Sequence, residues 1–467
     1  MTRRPLGICL LALVSLPGNA LFPHAAAATD KRPNIIYIMA DDLGYGDLGC
    51  YGQKKILTPE IDALCARGLR FTQHYAGTSV CAPTRCSLMT GLHTGHSYVR
   101  ANSPGYPGGQ TPIPKGTETI GTMLQRAGYR TACIGKWGLG SAHDSGAANS
   151  QGFDDFFGYY DQRHAHEYYT DHLWRNDATV PLDGKTYSHD LMTAEALEFI
   201  EKNKRRPFFL YLPYCIPHTK FQVPELGVYA DKPWTKSQKT QAAMITRMDR
   251  DVGALAAKLR ELGIADKTLI LFTSDHGAHG QGGTLKHFSA SGPLRGKKRS
   301  AYEGGLRVPL VAFWPGTIAP GTTSDHISAF WDMMPTLADL SGGKPREEHD
   351  GISFVPTLLG QTSEQPQHES LYFELFERGA INRALRMGKW KAVVPNWKKD
   401  KLQLFDLETD LGETTDVSEQ HPKIVASIRA KMDAAHTRSP IWNLESNGFN
   451  LRAACEASGV PVPKNKK

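Results

Sequence analysis

No apolar run in this 467-residue chain approaches the roughly 20 residues that a membrane-crossing helix needs, so no span is expected. Cysteine is sparse, eight residues in all, and no two stand as a CxxC pair, which removes the usual spacing of a zinc site. Charge of one sign is not in large excess: 54 Lys and Arg face 47 Asp and Glu, a formal +7 of which Arg3 and Arg4 supply two. That surplus does not argue for nucleic acid, although it suits an anionic substrate. Internal repeats and extended low-complexity segments are also missing. What remains is an ordinary globular composition, with 22% charged residues and a mean hydropathy of -0.38. A chain of this length buries a large core and allows one big domain plus a smaller one.

The N-terminus departs from that average. Arg3 and Arg4 precede an apolar run over 6–16, then Pro17-Gly18 and a stretch of alanines over 25–28. This is the pattern of a secretory signal peptide over 1–28, cleaved near Ala27 or Ala28, and it places the mature chain in the periplasm or outside the cell. Cys9 leaves with it. Cys50, Cys65, Cys81, Cys86, Cys133, Cys215 and Cys455 remain in a compartment that permits disulfides, but their irregular spacing reveals no connectivity.

Four short apolar runs end in polar groups: 35–40 before Asp41-Asp42, 131–135 before Lys136, 208–212 shortly before His218, and 268–273 before Asp275-His276. Read as buried strands, they place every such group at a strand's C-terminal end. Helical patterns lie between them over 119–126, 191–203 and 241–262. In the last, Met244, Met248, Val252, Leu255, Leu259 and Leu262 form an apolar stripe that Gly263 ends. The alternation predicts an α/β fold, a large mixed and mostly parallel sheet flanked by helices. A polar loop over 361–367 marks a boundary between residues 29–365 and 366–467. Beyond it, strands near 371–375, 383–387, 390–394 and 402–407 and a helix over 422–435 predict a small antiparallel sheet with one helix.

The densest chemistry is Cys81-Ala82-Pro83-Thr84-Arg85, a Cys-x-Pro-x-Arg frame. Elsewhere stand Asp41-Asp42-Leu43-Gly44-Tyr45-Gly46-Asp47, Gly135-Lys136-Trp137-Gly138-Leu139-Gly140, Pro217-His218, Thr273-Ser274-Asp275-His276-Gly277 and Lys298-Arg299-Ser300-Ala301-Tyr302-Glu303-Gly304-Gly305. In composition and order these blocks resemble the type I sulfatases of the alkaline phosphatase superfamily. The resemblance runs from about residue 32 to 352 and more weakly beyond. It implies that Cys81 is converted to formylglycine by a maturation enzyme, and that the hydrated aldehyde attacks the sulfur of a sulfate ester.

Adjacent carboxylates at 41 and 42 repel unless a cation joins them, and with Asp275 and His276 they form a mostly oxygen donor set that suits calcium before magnesium. Taken alone, the pair also reads as a helix cap or turn. The resemblance implies one ion held by Asp41, Asp42, Cys81, Asp275 and His276, the last in place of the more frequent Asn. Pro83 is expected to begin a helix that sets Cys81 at the positive end of its dipole. By the same resemblance Arg85 holds the formylglycine hydroxyl, Lys136 and Lys298 surround the sulfate, and His218 protonates the leaving alcohol with help from Lys298.

One block departs from the family. Gly138 stands where a histidine usually assists the second step, so the base is open. Candidates are His164 and His166 in Asp161-Gln162-Arg163-His164-Ala165-His166-Glu167-Tyr168-Tyr169, with a solvated loop or a packed histidine pair as the plain reading. Arg163, Trp174 and Arg175 are candidate contacts to a sugar, as are Glu374, Arg378 and Asn382 from the second domain. Sulfatases with a similar loop act mostly on carbohydrates, so the expected partners are a sulfated carbohydrate or an aryl sulfate. Two alternatives stay open: a phosphoesterase or phosphonate hydrolase of the same superfamily, and a calcium-dependent glycan-binding protein that has lost turnover.

Overall fold

Strand β1, Asn34–Ala40, is buried along its whole length. Ile35, Tyr37 and Met39 enter the core on one face of the sheet, and Ile36, Ile38 and Ala40 that on the other. A strand that is apolar at every position is what a sheet covered on both faces requires. The structure, a computed structural model, describes residues 1, 32–103, 106, 110–346, 348–377, 380–443, 448–459 and 461–462. The expected signal peptide over 1–28 lies outside them apart from Met1, and among the described residues no helix is long and apolar enough to cross a membrane.

The remaining strands of the main sheet are β2 (Leu69–Tyr75), β3 (Arg130–Lys136), β4 (Asp155–Tyr159), β5 (His172–Arg175), β6 (Ala178–Pro181), β7 (Phe208–Pro213), β8 (Thr268–Ser274), β9 (Arg307–Phe313), β10 (Thr322–Ser324) and β11 (Ser328–Ala329). They run in the order β10-β2-β9-β8-β1-β7-β3-β4-β5-β6, with β11 also paired to β2. The central block β8-β1-β7-β3-β4 is parallel, whereas β9 and the β5–β6 hairpin run antiparallel at its sides. Ala40 lies beside Ser274 and Met39 beside Pro213, so the C-terminal ends of β1, β8 and β7 open on one edge.

Helices cover both faces: α1 (Pro59–Ala66), α2 (Cys81–Thr90), α3 (Ile120–Arg126), α4 (Ser188–Asn203) and α5 (Lys236–Glu261). Thr119 and Thr235 cap α3 and α5 through reciprocal capping boxes. Thr58 before α1 makes no side-chain cap. Asp249 of α5 does this work instead, its carboxylate accepting from the backbone N–H of Ile61 at 2.7 Å and of Glu60 at 3.1 Å. Helix α2 begins at Cys81, two residues before the expected start at Pro83, which occupies its first turn. Proline is tolerated there because N–H groups of the first turn have no intrahelical partner.

The second sheet is antiparallel, β12 (Leu371–Glu377), β13 (Ala380–Met387), β14 (Trp390–Val394) and β15 (Gln403–Asp406), and the helix Pro422–Ala434 follows it. Both sheets belong to one compact unit, 32–467. Two buried charge clusters join them. Glu303 receives Lys391 Nζ at 2.6 Å and Tyr75 Oη at 2.7 Å. Glu374 receives Arg100 Nη1, Tyr372 Oη and His436 Nδ1, each at 2.8 Å. Burial opposes ionisation of Glu374, but the His436 hydrogen bond and the Arg100 charge outweigh it and hold its pKa below the ordinary carboxylate value.

Removing the Asp249 carboxylate leaves two N–H groups of α1 without acceptors. Asp249→Ala is expected to cost about 2 kcal/mol in denaturant unfolding, and Asp249→Asn less because it keeps one acceptor. Arg100→Ala leaves the buried Glu374 with Tyr372 and His436 alone and is expected to cost about 1.5–3 kcal/mol, the loss of a hydrogen bond to a charged group. Because the pKa of Glu374 is depressed on folding, its contribution is complete above the unfolded value of about 4.5 and is lost as pH falls through the folded one. The stability gap between the native chain and Glu374→Gln should therefore narrow on acidification below about pH 4.5 and stay constant above it.

Candidate functional site

Four chain segments meet at the edge where the central strands end. Asp41 and Asp42 follow β1, Lys136 ends β3, His218 follows β7, and Asp275 and His276 follow β8; every one of these side chains is buried. Asp42 has a φ of +70°, a left-handed conformation unusual for a residue with a side chain. Its backbone N–H donates to Asp275 Oδ1 at 3.2 Å.

Helix α2 delivers Cys81 and Arg85 to the same point. Thr84 Oγ1 shapes the turn before it, accepting from Thr78 N and donating to Thr78 O, and Asn102 Oδ1 accepts from Ala82 N. Cys81 Sγ lies 3.3 Å from His276 Nε2, 3.6 Å from Asp41 Oδ1 and 3.7 Å from Lys298 Nζ. Lys298 arrives on a loop pinned by its own backbone N–H to Ala278 O and by Arg299 N–H to Ser79 O.

The electrostatics balance three carboxylates against three cations. Lys136 Nζ donates to Asp41 Oδ2 at 2.6 Å, Lys298 Nζ to Asp42 Oδ1 at 2.7 Å, and Arg85 Nη2 to Asp41 at 3.3 Å and Asp275 at 3.1 Å. Burial alone would raise Asp41, yet Lys136 and its neighbours hold it well below the usual carboxylate range. Asp275 moves up, through burial and the adjacent Asp41 charge. Burial likewise opposes charge on His276, but Asp275 carries its pKa up to about 9. The carboxylates thus draw a proton onto a buried imidazole.

That demand is one a divalent cation meets. Oxygen and nitrogen atoms of Asp41, Asp275 and His276 and the sulfur of Cys81 lie within 4.8 Å of one another. Asp42 Oδ2 is buried without a hydrogen-bond donor. His276 Nδ1 faces Gly277 O at 3.0 Å, which leaves Nε2 turned to the cluster. The residues therefore fit a hard divalent ion.

A row of imidazoles covers the cluster. His218 and His166 stack with ring centroids 4.1 Å apart, and His279 stands 6.5 Å from His218. All three have lowered pKa values, burial being the first cause, and His166 falls to about 4. His218 Nδ1 lies against Thr219 O, so Nε2, 3.4 Å from Asp42 Oδ2, is its exchangeable nitrogen.

The other candidates separate from this group. His164 bonds Thr170 Oγ1 at 2.6 Å and, with Trp174, lines a cavity of about 530 Å³ that also includes Tyr106, His143, Tyr160 and His172. Arg163 is exposed. Arg175 is tied to Glu195 by two hydrogen bonds and lies over the Phe157 ring. Glu374 is the buried anchor described above, Asn382 is half-buried, and Arg378 lies outside the described residues.

Two residues of the site carried no sequence signal. His279 is one, and Gln162 is the other. A Cβ built on Gly138, where φ is +75°, would lie 2.1 Å from Gln162 Nε2.

Most of the chain is similar to known proteins. The family described as sulfatase matches residues 33–343, and one described as N-sulphoglucosamine sulphohydrolase, C-terminal, matches 296–438. Human arylsulfatase A is 34% identical, with 96% of this chain and 97% of that protein covered. Mouse N-acetylgalactosamine-6-sulfatase is 30% identical over 85% and 80%. The crystal structure of Ps i-CgsB in complex with k-i-k-neocarrahexaose has a TM-score of 0.77 at 30% identity and covers 91% of this chain and 96% of its own. The buried acid, cysteine and lysine cluster thus sits in a chain that belongs to the sulfatase family, a sulfuric ester hydrolase of the alkaline phosphatase superfamily.

Proposed function

We propose that the chain is an exported sulfatase acting on a sulfated carbohydrate, with formylglycine at position 81 and one calcium ion. The observation that carries this reading is the placement of Cys81 Sγ at the start of α2, within 3.3–3.7 Å of His276, Asp41 and Lys298. Oxidised to formylglycine and hydrated, residue 81 supplies an oxygen nucleophile for sulfur. Calcium held by Asp41, Asp42, Asp275 and His276 adds positive charge where anionic oxygens gather. The carbohydrate follows from relatives that include an N-acetylgalactosamine-6-sulfatase and a structure holding neocarrahexaose, and the cavity beside Trp174 offers rings against which a sugar stacks. Export rests on the residue pattern over 1–28.

Lys136, Lys298 and Arg85 hold the sulfate charge in a site closed to bulk water, where each is worth more than at a surface. Nε2 is the His218 nitrogen from which a proton passes to the departing alcohol oxygen, and the lowered pKa makes the charged form a minor one that gives up its proton readily. His166 is the base that replaces the side chain missing at Gly138. Its pKa of about 4 keeps it neutral and able to accept a proton at any pH above that value, and it touches the His218 ring. His164 has no such contact.

Peptide mass spectrometry across position 81, on protein from a host with a maturation enzyme, should find the aldehyde. The same protein should hydrolyse aryl sulfate in preference to aryl phosphate, lose activity to a chelator and regain it with calcium before magnesium. A thiol at 81 under those conditions, or a preference for phosphate, overturns the reading. Separately, His166→Ala should lower kcat about 10²-fold or more, the size of a general-base contribution. His164→Ala should leave it within about twofold, and the reverse order would reassign the base.

A further inference from the structure

Gln162 follows β4 and is 6% exposed. Its backbone is fixed by a second buried glutamine: Gln162 N–H donates to Gln110 Oε1 at 3.0 Å, and Gln110 Nε2 donates to Gly140 O and Tyr160 O. The side chain thus has a rigid base, yet its Nε2 is buried with no acceptor. Arg85 Nε is in the same condition, although Arg85 Nη1 and Nη2 are all engaged, with Lys136 O, Asp41 and Asp275.

The side chains that carry these two orphaned donors meet at one place. The point where a Cβ at Gly138 would stand is 2.1 Å from Gln162 Nε2 and 3.6 Å from Arg85 Cδ. The carboxamide therefore occupies the volume a side chain at 138 would fill, and it can do so because 138 is glycine. Two buried N–H groups without acceptors are costly, and a ligand that brings acceptor oxygens removes the cost. The sulfate group of the substrate is such a ligand, having acceptor oxygens and a negative charge, and Arg85 already belongs to the cationic wall that surrounds it.

We propose that Gln162 is a substrate-positioning residue of this sulfatase: its Nε2, together with Arg85 Nε, donates to an oxygen of the tetrahedral oxyanion bound beside the carboxamide that fills the space at Gly138. This rests on the sulfatase reading above. Gln162 moves no proton, since a carboxamide does not titrate in this range. It orients the anion, and it does so from a chain segment other than the one that carries Lys136.

The test uses the matured enzyme, an aryl sulfate as substrate and inorganic sulfate as competing anion. Gln162→Met keeps the volume and removes the donor; it should raise KM for the aryl sulfate and Ki for sulfate about tenfold, the factor expected of one hydrogen bond to a charged group, with no loss of melting temperature. Gln162→Glu keeps the shape but replaces the donor with negative charge, and should raise both constants further. If Gln162→Glu binds as the native enzyme does, no oxyanion sits against this side chain and the proposal is overturned; native constants in Gln162→Met overturn it as well. Shared volume is tested by melting: Gly138→Ala should lower Tm in the native background and lower it less once Gln162→Ala has emptied the space. Equal drops overturn the claim that one volume serves both positions. A native enzyme that fails on aryl sulfate instead sinks the sulfatase reading, a result distinguishable from all of these.

Discussion

Three carboxylates buried within a few ångströms of one another are the constraint around which this molecule is arranged. Asp41, Asp42 and Asp275 have no exposure to speak of, and in a medium of low dielectric their mutual repulsion is large. Lys136, Lys298 and Arg85 answer it one for one. Each of these cations comes from a different part of the chain, and Lys298 and Arg85 have further partners that fix their direction. With His276 also drawn towards its charged form, the buried cluster leans positive, and a site whose charges are fixed in place can bind an anion with little reorganisation.

The architecture that makes this possible lies well outside the cluster. Parallel strands β8, β1, β7 and β3 end together and so bring four loops to one edge. Lys298 depends on a more remote support: its loop runs into Glu303, which Lys391 of the second sheet holds from below. Glu303 keeps its charge because Lys391, Arg386 and Arg307 offset the cost of its burial. The small sheet is therefore a brace for a cation of the site.

Much of this was legible in the chain itself, and the reasons differ by element. Strands β1, β3, β7 and β8 were readable within a residue or two because burial on both faces leaves an uninterrupted apolar run that ends in a polar group. The stripe of α5 announced itself in the same way. Strands β5 and β6 were not readable, since a short edge hairpin with exposed residues has no such run. Among the site residues, those in compact blocks stood out, whereas Gln162 and His279 are ordinary residues until the fold brings them over Gly138 and His218. The loop at 163–169 shows the limit most clearly: His164 and His166 are two residues apart, yet a single helical turn sends one to Thr170 and the other onto His218. Arg175 looked available from its sequence neighbours, and only the tertiary position of Glu195 explains why it is engaged elsewhere.

The burial of α2 has a consequence in time as well as space. Every residue from Cys81 to Thr90 is buried, and Cys81 itself is 2% exposed. A second protein that works chemically on the Cys81 side chain needs this segment as an accessible, extended peptide, a state that ends once the helix is packed under the sheet edge. Under the proposed conversion of Cys81, modification and folding would compete for the same stretch of chain. A polypeptide that collapsed before it was modified would lock its thiol in place, and the fraction of competent molecules would then be decided by a race during synthesis and not by any equilibrium of the finished protein.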